Sequence, residues 1–387
     1  MIYLDYNATT PLCEPARAAM QPYLGEHFGN PSSIHAAGRE ARAAVDDARD
    51  RLASLLHAKP SELVFTASGT ESNNLAVLGL ARSQQERGRH IICSAAEHHA
   101  VLHACEHLRQ REGFELTILP VNRAGLIDLA QLAEAIRSDT TVVSIMSANN
   151  ETGVVQPLEQ IAVVCRARGV LFHSDMVQSF AKQPTNLHLV DAASFAAHKF
   201  YGPKGAGLLF LRAGLPIESI QFGGAHENQR RPGTENVAAI AGIAAAADWA
   251  LSGPDHEQSR QAALRDRLWE NIRQSVPAPR QNGSPAHRLA NTLNVSFPGL
   301  DSETILMALD LEGVCASSGS ACMVGSVPAS HVLQAMGASA EIAGSAIRFS
   351  LGKQTTAAEI EEAGEIVRRV VERLSASQQK RGAYAVV

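Results

Sequence analysis

The chain has 387 residues, 45% of them hydrophobic, and a formal net charge of −5. That supplies a large core and, at roughly 100–200 residues per domain, material for two domains. The mild acidity lacks the basic footprint of a nucleic-acid binder, no apolar run reaches the ~18 residues of a membrane span, and Met1–Asp5 lacks the basic-then-apolar order of a signal peptide. Six cysteines in so long a chain make no disulfide framework and fit a reducing cytoplasm.

From about residue 35 to about residue 250, helix and strand signals alternate. Helical spacing covers His35–His57, Thr70–Arg82, Val101–Arg111, Pro157–Arg168 and Glu235–Leu251. Strand-like runs lie at Leu63–Thr66, His90–Ser94, Leu116–Pro120, Thr141–Met146, Val170–His173, Ala192–Ala196 and Gly207–Leu211. Such alternation predicts an α/β fold with a mostly parallel sheet covered by helices on both faces. Ser252-Gly253-Pro254-Asp255 reads as a boundary. Beyond it come a polar helix (His256–Gln274), a strand (Thr292–Phe297), a helix (Ser302–Leu311), a strand (Ala346–Leu351) and a helix (Ala357–Leu374), α+β in character. The polar tail Ser375–Val387 is expected to fray.

Several segments carry chemistry. Thr66-Ala67-Ser68-Gly69-Thr70-Glu71-Ser72-Asn73-Asn74 carries a strand into a helix with small residues at the junction, so backbone N–H groups there suit an anion; an ordinary helix cap is the competing account. His103-Ala104-Cys105-Glu106-His107 has the H-x-x-E-H spacing of a zinc hydrolase, but no third ligand is near, and a solvated helix face accounts for it better. Asp175 ends a strand, where open α/β sheets bind ligands, with Gln178 three residues on. Lys199, flanked by Phe195, His198 and Phe200, suits carbonyl chemistry if its amine is desolvated. Arg348 lies inside a strand, where it needs either an internal ion pair or a ligand carboxylate. Finally, Ala316-Ser317-Ser318-Gly319-Ser320-Ala321-Cys322 sets one thiol among small residues. An enclosed amine and an uncovered thiol together point to covalent chemistry on an amino acid.

Read in order, these segments resemble the cysteine desulfurases of the NifS and IscS type, pyridoxal-phosphate enzymes of aminotransferase class V. The resemblance rests on Tyr3-Leu4-Asp5-Tyr6-Asn7-Ala8-Thr9-Thr10, Phe28-Gly29-Asn30-Pro31-Ser32-Ser33, Glu97-His98, Asn149-Asn150-Glu151-Thr152-Gly153, His198-Lys199, Gly202-Pro203-Lys204-Gly205, Arg231, Gly233-Thr234, Ser317–Cys322 and Ile347-Arg348-Phe349-Ser350. It implies fold type I of the pyridoxal-phosphate transferases, with a large cofactor domain (16–252) and a small domain built from both chain ends (1–15 with 253–387).

The resemblance also implies roles. Lys199 would hold pyridoxal 5'-phosphate and move protons, Asp175 would pair with the pyridine nitrogen, and His98 would stack on the ring and help shuttle protons. Gln178 and Asn150 would sit near the ring hydroxyl and the substrate, and Gly69, Thr70 and His198 would bind the phosphate. Thr234 would reach the phosphate of a neighbouring subunit in a homodimer. Arg348 would hold the carboxylate of L-cysteine, and Cys322 would take its sulfur as a persulfide, releasing L-alanine, for delivery to an acceptor protein. Iron–sulfur cluster assembly, tRNA thiolation and DNA sulfur modification are all compatible destinations. A sibling enzyme of the class, such as a selenocysteine lyase or an aminotransferase, is the alternative. No metal site, membrane contact or direct nucleic-acid contact is expected.

The sequence departs from this pattern at several points. Ala196 stands where a phosphate-binding serine is usual, which predicts weaker cofactor retention, with Ser194 as a candidate replacement hydroxyl. Met176 replaces an alanine and predicts tighter surroundings for the ring. After Cys322, Met323-Val324 and Pro328-Ala329 make the segment more apolar and move its proline by one position. Cys315 is expected to be a buried strand residue, with a resolving thiol as the rival role.

Overall fold

The structure, a computed structural model, describes residues 1–252, 256–319 and 329–384. Cys322, Met323, Val324 and Pro328 lie outside the described residues. The chain opens with β1 (Ile2–Tyr3), α1 (Glu14–Met20) and α2 (Ala36–Leu56). There follow β2 (Leu63–Thr66), α3 (Gly69–Ser83), β3 (His90–Ser94), α4 (His99–Arg111), β4 (Glu115–Leu119), α5 (Leu129–Ala135), β5 (Thr140–Ser144) and α6 (Leu158–Ala167). Next come β6 (Leu171–Asp175), β7 (Ala192–Ala196), β8 (Gly207–Leu211) and α7 (Val237–Leu251). The rest comprises α8 (Glu257–Ser275), β9 (Arg280–Gln281), β10 (Thr292–Ser296), α9 (Ser302–Leu311), β11 (Val314–Cys315), α10 (His331–Ala335), α11 (Ala340–Gly344), β12 (Ala346–Ser350) and α12 (Ala357–Tyr384).

Seven strands form one sheet in the order β2-β8-β7-β6-β5-β3-β4. β8 runs antiparallel to both of its neighbours, and every other pairing is parallel, so β2 points the same way as β3 to β7. Every residue of β2, β3, β5, β7 and β8 is buried, as expected of strands covered on both faces. On α2 the buried stripe Ala41, Val45, Ala48, Leu52 and Leu56 keeps helical spacing, and His35 caps the helix by accepting the Gly38 N–H at 3.2 Å. α7 is apolar on nearly all sides and is buried against α1 and α2.

The chain ends meet. β1 pairs in parallel with β11, and Asp5 and Ser317, just beyond these strands, form bridges to Ser350 and Arg348 of β12. β12, β10 and β9 form an antiparallel sheet. Ile2 and Leu4 share one apolar cluster with Leu268, Leu293, Phe349 and Val367, so the first residues pack with the last third of the chain.

Two expectations need correction. The last helix does not stop at Leu374, because α12 continues to Tyr384. Polarity alone does not stop a helix, and the ion pairs of Arg368 with Glu365 and Glu372 support the turns before the tail. The short helices α1, α5, α10 and α11 were not anticipated, since five to seven residues show too little periodicity; their signals are Pro15 in the first turn of α1 and the caps Asp128, Ser330 and Ser339.

Candidate active site

The strand ends that point one way carry the candidate residues. Gly69 follows β2, His98 follows β3, Asn150 follows β5, Asp175 closes β6, and His198 and Lys199 follow β7. All therefore lie along one edge of the sheet.

Asp175 is buried, and both of its oxygens are engaged by neutral donors: Asn73 Nδ2 at 2.6 Å and the Val177 N–H at 2.9 Å. Among the described residues no cation lies within ion-pair distance of it, although His98 and Lys199 are close enough to act electrostatically. Burial pushes its carboxyl up, while His98, the Val177 N–H, Asn73 and Lys199 oppose that shift. Beside it, α3 begins at Gly69. A Cβ there would lie 2.7 Å from Val177 Cγ2 and 3.2 Å from Ala196 Cβ, so the helix start presses against the strand ends. The first N–H groups of this 15-residue helix have no partner within the helix itself, and Thr70 is exposed beside them.

His98 is the N-cap of α4. Its Nδ1 accepts the Ala100 N–H at 3.1 Å, which puts the proton of the neutral ring on Nε2. Burial lowers its pKa, Asp175 raises it, and Lys199, His331 and His103 lower it. Glu97 is fully buried; its Oε1 accepts the Met146 N–H at 2.7 Å, and burial holds the carboxyl far above the carboxylate range.

Lys199 follows β7 on a turn of 3-10 helix, and its Nζ donates to the Asn7 and Ala8 carbonyls, each at 2.7 Å. Asn7 is a hub: its carbonyl also accepts Gln178 Nε2 at 2.9 Å, and its side chain donates to Thr292 Oγ1 at 2.9 Å and accepts from Asn291 at 3.1 Å. Gln178 Oε1 accepts from Lys182 Nζ at 2.8 Å. His198 meets Thr9 Oγ1 at 3.2 Å, and its pKa is held down at about 4, first by burial and then by Lys199, Lys204 and Lys182.

Arg348 is 3% exposed. It pairs with Asp5 at 2.8 Å and donates to the Asn150 carbonyl at 2.9 Å, while its buried Nε has no hydrogen-bond partner among the described residues. The internal ion pair expected as one of two alternatives is therefore present, and one donor remains beyond it.

The structure thus gathers Gly69, His98, Asn150, Asp175, Gln178, His198, Lys199 and Arg348 at the strand ends or on the Asn7 network. Thr234 is elsewhere, exposed after Gly233 on a segment tied to α3 by the Arg231–Glu71 pair at 2.8 Å. Ser194 does not stand in for the missing serine, because its hydroxyl is held by His173 Nε2 at 3.0 Å. Met176 is buried in the large apolar core. Cys315 is in a strand but only half-buried, and its thiol pKa is raised, chiefly by burial. His103 stacks on His99 at 4.9 Å and His107 meets Glu112 at 3.2 Å, and among the described residues no cluster of three or more metal-ligating side chains forms.

Sequence reasoning missed Asn7, Asn73 and Lys182. Asn7 and Asn73 lie within quoted segments, and Lys182 falls four residues after Gln178; those were the available signals.

The aminotransferase class-V family matches residues 2–362. The chain is 44% identical over 375 residues to the cysteine desulfurase IscS of Dictyoglomus turgidum (strain DSM 6724 / Z-1310), covering 96% of this chain and 95% of that protein. It is 45% identical over 391 residues to the cysteine desulfurase IscS of Anaeromyxobacter sp. (strain Fw109-5), covering 100% and 95%. Among solved structures, a NifS-like protein superimposes with a TM-score of 0.90 at 35% identity, covering 96% of this chain and 100% of that one. SspA in complex with cysteine superimposes with a TM-score of 0.80 at 35% identity, covering 91% and 99%.

Proposed function

The chain belongs to the aminotransferase class-V family and is a cysteine desulfurase of the NifS and IscS type; from that premise we propose that it converts L-cysteine to L-alanine and passes the sulfur to Cys322 as a persulfide. Enzymes of this family use pyridoxal 5'-phosphate, which when bound supplies an electron sink for charge developing at the substrate Cα. The residues fit that group. Asp175, a buried carboxylate engaged among the described residues only by neutral donors, suits a protonated ring nitrogen. Lys199 would carry the cofactor, His98 would lie against the ring, and Gln178 and Asn150 would line it. The N–H groups at Gly69 and Thr70, with neutral His198, would receive the phosphate.

The chain's own residues divide the work. Arg348 takes the substrate carboxylate through its unpartnered Nε and through exchange with Asp5. Lys199 Nζ takes the Cα proton. The Cys322 thiolate then attacks the substrate Sγ. The S–S bond forms, the Cβ–Sγ bond breaks, and its electron pair stays on Cβ, which takes a proton to become the methyl group of alanine, while Lys199 Nζ returns a proton to Cα. The persulfide on Cys322 leaves for an acceptor protein, in iron–sulfur cluster assembly or another thiolation route.

We further propose a homodimer in which Thr234 from one copy completes the phosphate site of the other. Phe28, Ile34 and Phe222 are 84%, 91% and 93% exposed, and their two segments are joined by the Ser32–His226 contact at 3.3 Å, which supports an apolar interface beside Thr234. The division into 16–252 and 1–15 with 253–387 belongs to the same proposal, as does a cytoplasmic location, for which the buried free thiols of Cys13, Cys93, Cys105 and Cys165 are the support. Among the described residues no helix is long and apolar enough to cross a membrane.

The observation that carries the reading is Asp175, a buried carboxylate that has no ion-pair partner among the described residues, close enough to the Lys199 amine to act on it electrostatically. The test is incubation with sulfur-labelled L-cysteine, followed by mapping. Label is expected on the Cys322 peptide, with one alanine per sulfur, and borohydride is expected to fix the cofactor to Lys199. A Cys322→Ser variant that releases sulfide and alanine at the wild-type rate would remove Cys322 from the reaction and favour a sibling enzyme of the class.

A further inference from the structure

Glu151 is the candidate that the proposed chemistry leaves unused. It lies in the turn after β5, directly beyond Asn150, and its backbone is held on both sides: its N–H by Asn149 Oδ1 at 3.0 Å and its carbonyl by Asn294 Nδ2 at 3.1 Å. Its side chain is buried, and burial raises its pKa against the opposing effects of Ser330, His331 and Arg348. Its Oε2 accepts the hydroxyl of Ser330. That hydroxyl in turn caps α10 by accepting the Leu333 N–H at 3.1 Å. The same carboxyl lies against Gly319, where a methyl group would overlap Oε2 and stand 2.6 Å from Cδ. One side chain therefore touches the chain at Gly319 and again at Ser330, on either side of the segment that contains Cys322.

Two neighbouring contacts fix the same ends. Ser317 exchanges backbone hydrogen bonds with Arg348 at 2.6 and 3.2 Å. His331 Nε2 meets the Glu97 carbonyl at 3.0 Å and its ring stacks on His99 at 4.4 Å. Gly319 is thus held beside Asn150 and Arg348, the proposed substrate corner.

We propose that Glu151 is a positioning residue whose carboxyl fastens both ends of the cysteine-bearing segment beside the substrate corner, keeping the Cys322 thiol within reach of the substrate sulfur. The role rests on the assignment of Cys322 as sulfur acceptor. Releasing either end enlarges the volume the thiol searches, which slows attack without touching the earlier steps.

The experiment compares full-length holoenzymes of wild type, Glu151→Gln, Glu151→Ala, Ser330→Ala and the Glu151→Ala/Ser330→Ala pair. Three quantities are read: the cofactor absorbance change on adding cysteine, the single-turnover rate of persulfide formation on Cys322, and the rate of Cys322 alkylation by iodoacetamide without cysteine. Ser330→Ala and Glu151→Ala are expected to give the absorbance change within about twofold of wild type but to form persulfide about tenfold more slowly. Their thiol is expected to alkylate several-fold faster, as a less restrained cysteine does. Glu151→Gln keeps an acceptor oxygen and is expected within about threefold of wild type, and the pair no slower than Glu151→Ala alone. Should Glu151→Ala fail to fold, Ser330→Ala decides. Wild-type persulfide and alkylation rates in Ser330→Ala overturn the proposal. Absence of persulfide from wild-type Cys322 instead overturns the acceptor assignment, and the alkylation rates still decide whether the ends are anchored by Glu151.

Discussion

Ala196 shows how one missing hydroxyl is expressed at a site. Its Cβ faces the start of α3, at 3.2 Å from where a Gly69 Cβ would stand, so a serine there would direct its hydroxyl at the same N–H groups. Ser194, two residues back, is buried and committed to His173, so the strand offers no substitute. One neutral hydrogen bond contributes about 0.5–1.5 kcal/mol net. Ala196→Ser is therefore expected to slow cofactor loss by about two- to tenfold, read as the decay of cofactor absorbance after dilution into a scavenger. Unchanged decay would mean that the helix start and His198 already satisfy the phosphate. Arg348 makes the complementary case. From sequence, ion pair and ligand carboxylate were equal alternatives, and the structure holds the ion pair while Nε has no hydrogen-bond partner among the described residues.

At the scale of elements, the sheet was legible because its strands are short apolar runs buried on both faces and bounded by polar breaks; Leu63–Thr66, His90–Ser94, Ala192–Ala196 and Gly207–Leu211 fall where the sequence puts them. The reversed direction of β8 was not legible, since a buried run reads the same in either sense. The site was legible only in part, and mostly through family motifs. Asn7 illustrates the reason: it joins Lys199, Gln178 and Thr292 across separations of 192, 171 and 285 residues, and no local pattern encodes such contacts. Gly69 is the position where element packing and chemistry coincide. A methyl there would meet the stiff, β-branched Val177 at 2.7 Å and displace the start of α3 by tenths of an ångström. Gly69→Ala is expected to fold but to bind the cofactor at least about tenfold more weakly, measured by titrating the apoenzyme, because misplaced N–H groups lose their aim.

For the molecule as a whole, the residues beneath the site hold many groups away from their ordinary protonation, and this sets how stability depends on pH. Burial between Ser144 and Ser194 pushes the pKa of His173 down to about 3, and burial first, then nearby lysines, push that of His198 down to about 4. The unfolded chain binds protons at both near pH 6.5, so stability is full above that value and falls as pH drops toward 3. Lys182 works on the alkaline side. Its stem lines a cleft of about 340 Å3, but its amine turns inward to Gln178 at 2.8 Å and Asn7 at 3.4 Å. Burial first, then Lys199 and Arg348, lower it to about 7. Between about 7 and 10.5 the unfolded state holds the extra proton, so stability rises with pH from 7, with a slope of at most ~1.4 kcal/mol per pH unit, the limit for one proton. Buried thiols oppose this above pH 9, where Cys165, raised to about 12, stays protonated only in the folded state. The thermal midpoint of the holoenzyme is thus expected to climb from pH 7 to 8.5. Lys182→Met, which removes the titrating amine and keeps an unbranched stem, is expected to flatten most of that climb. Parallel profiles for the two proteins would show that Lys182 is charged in the folded state at pH 7 and that the network beneath Lys199 accommodates a second cation.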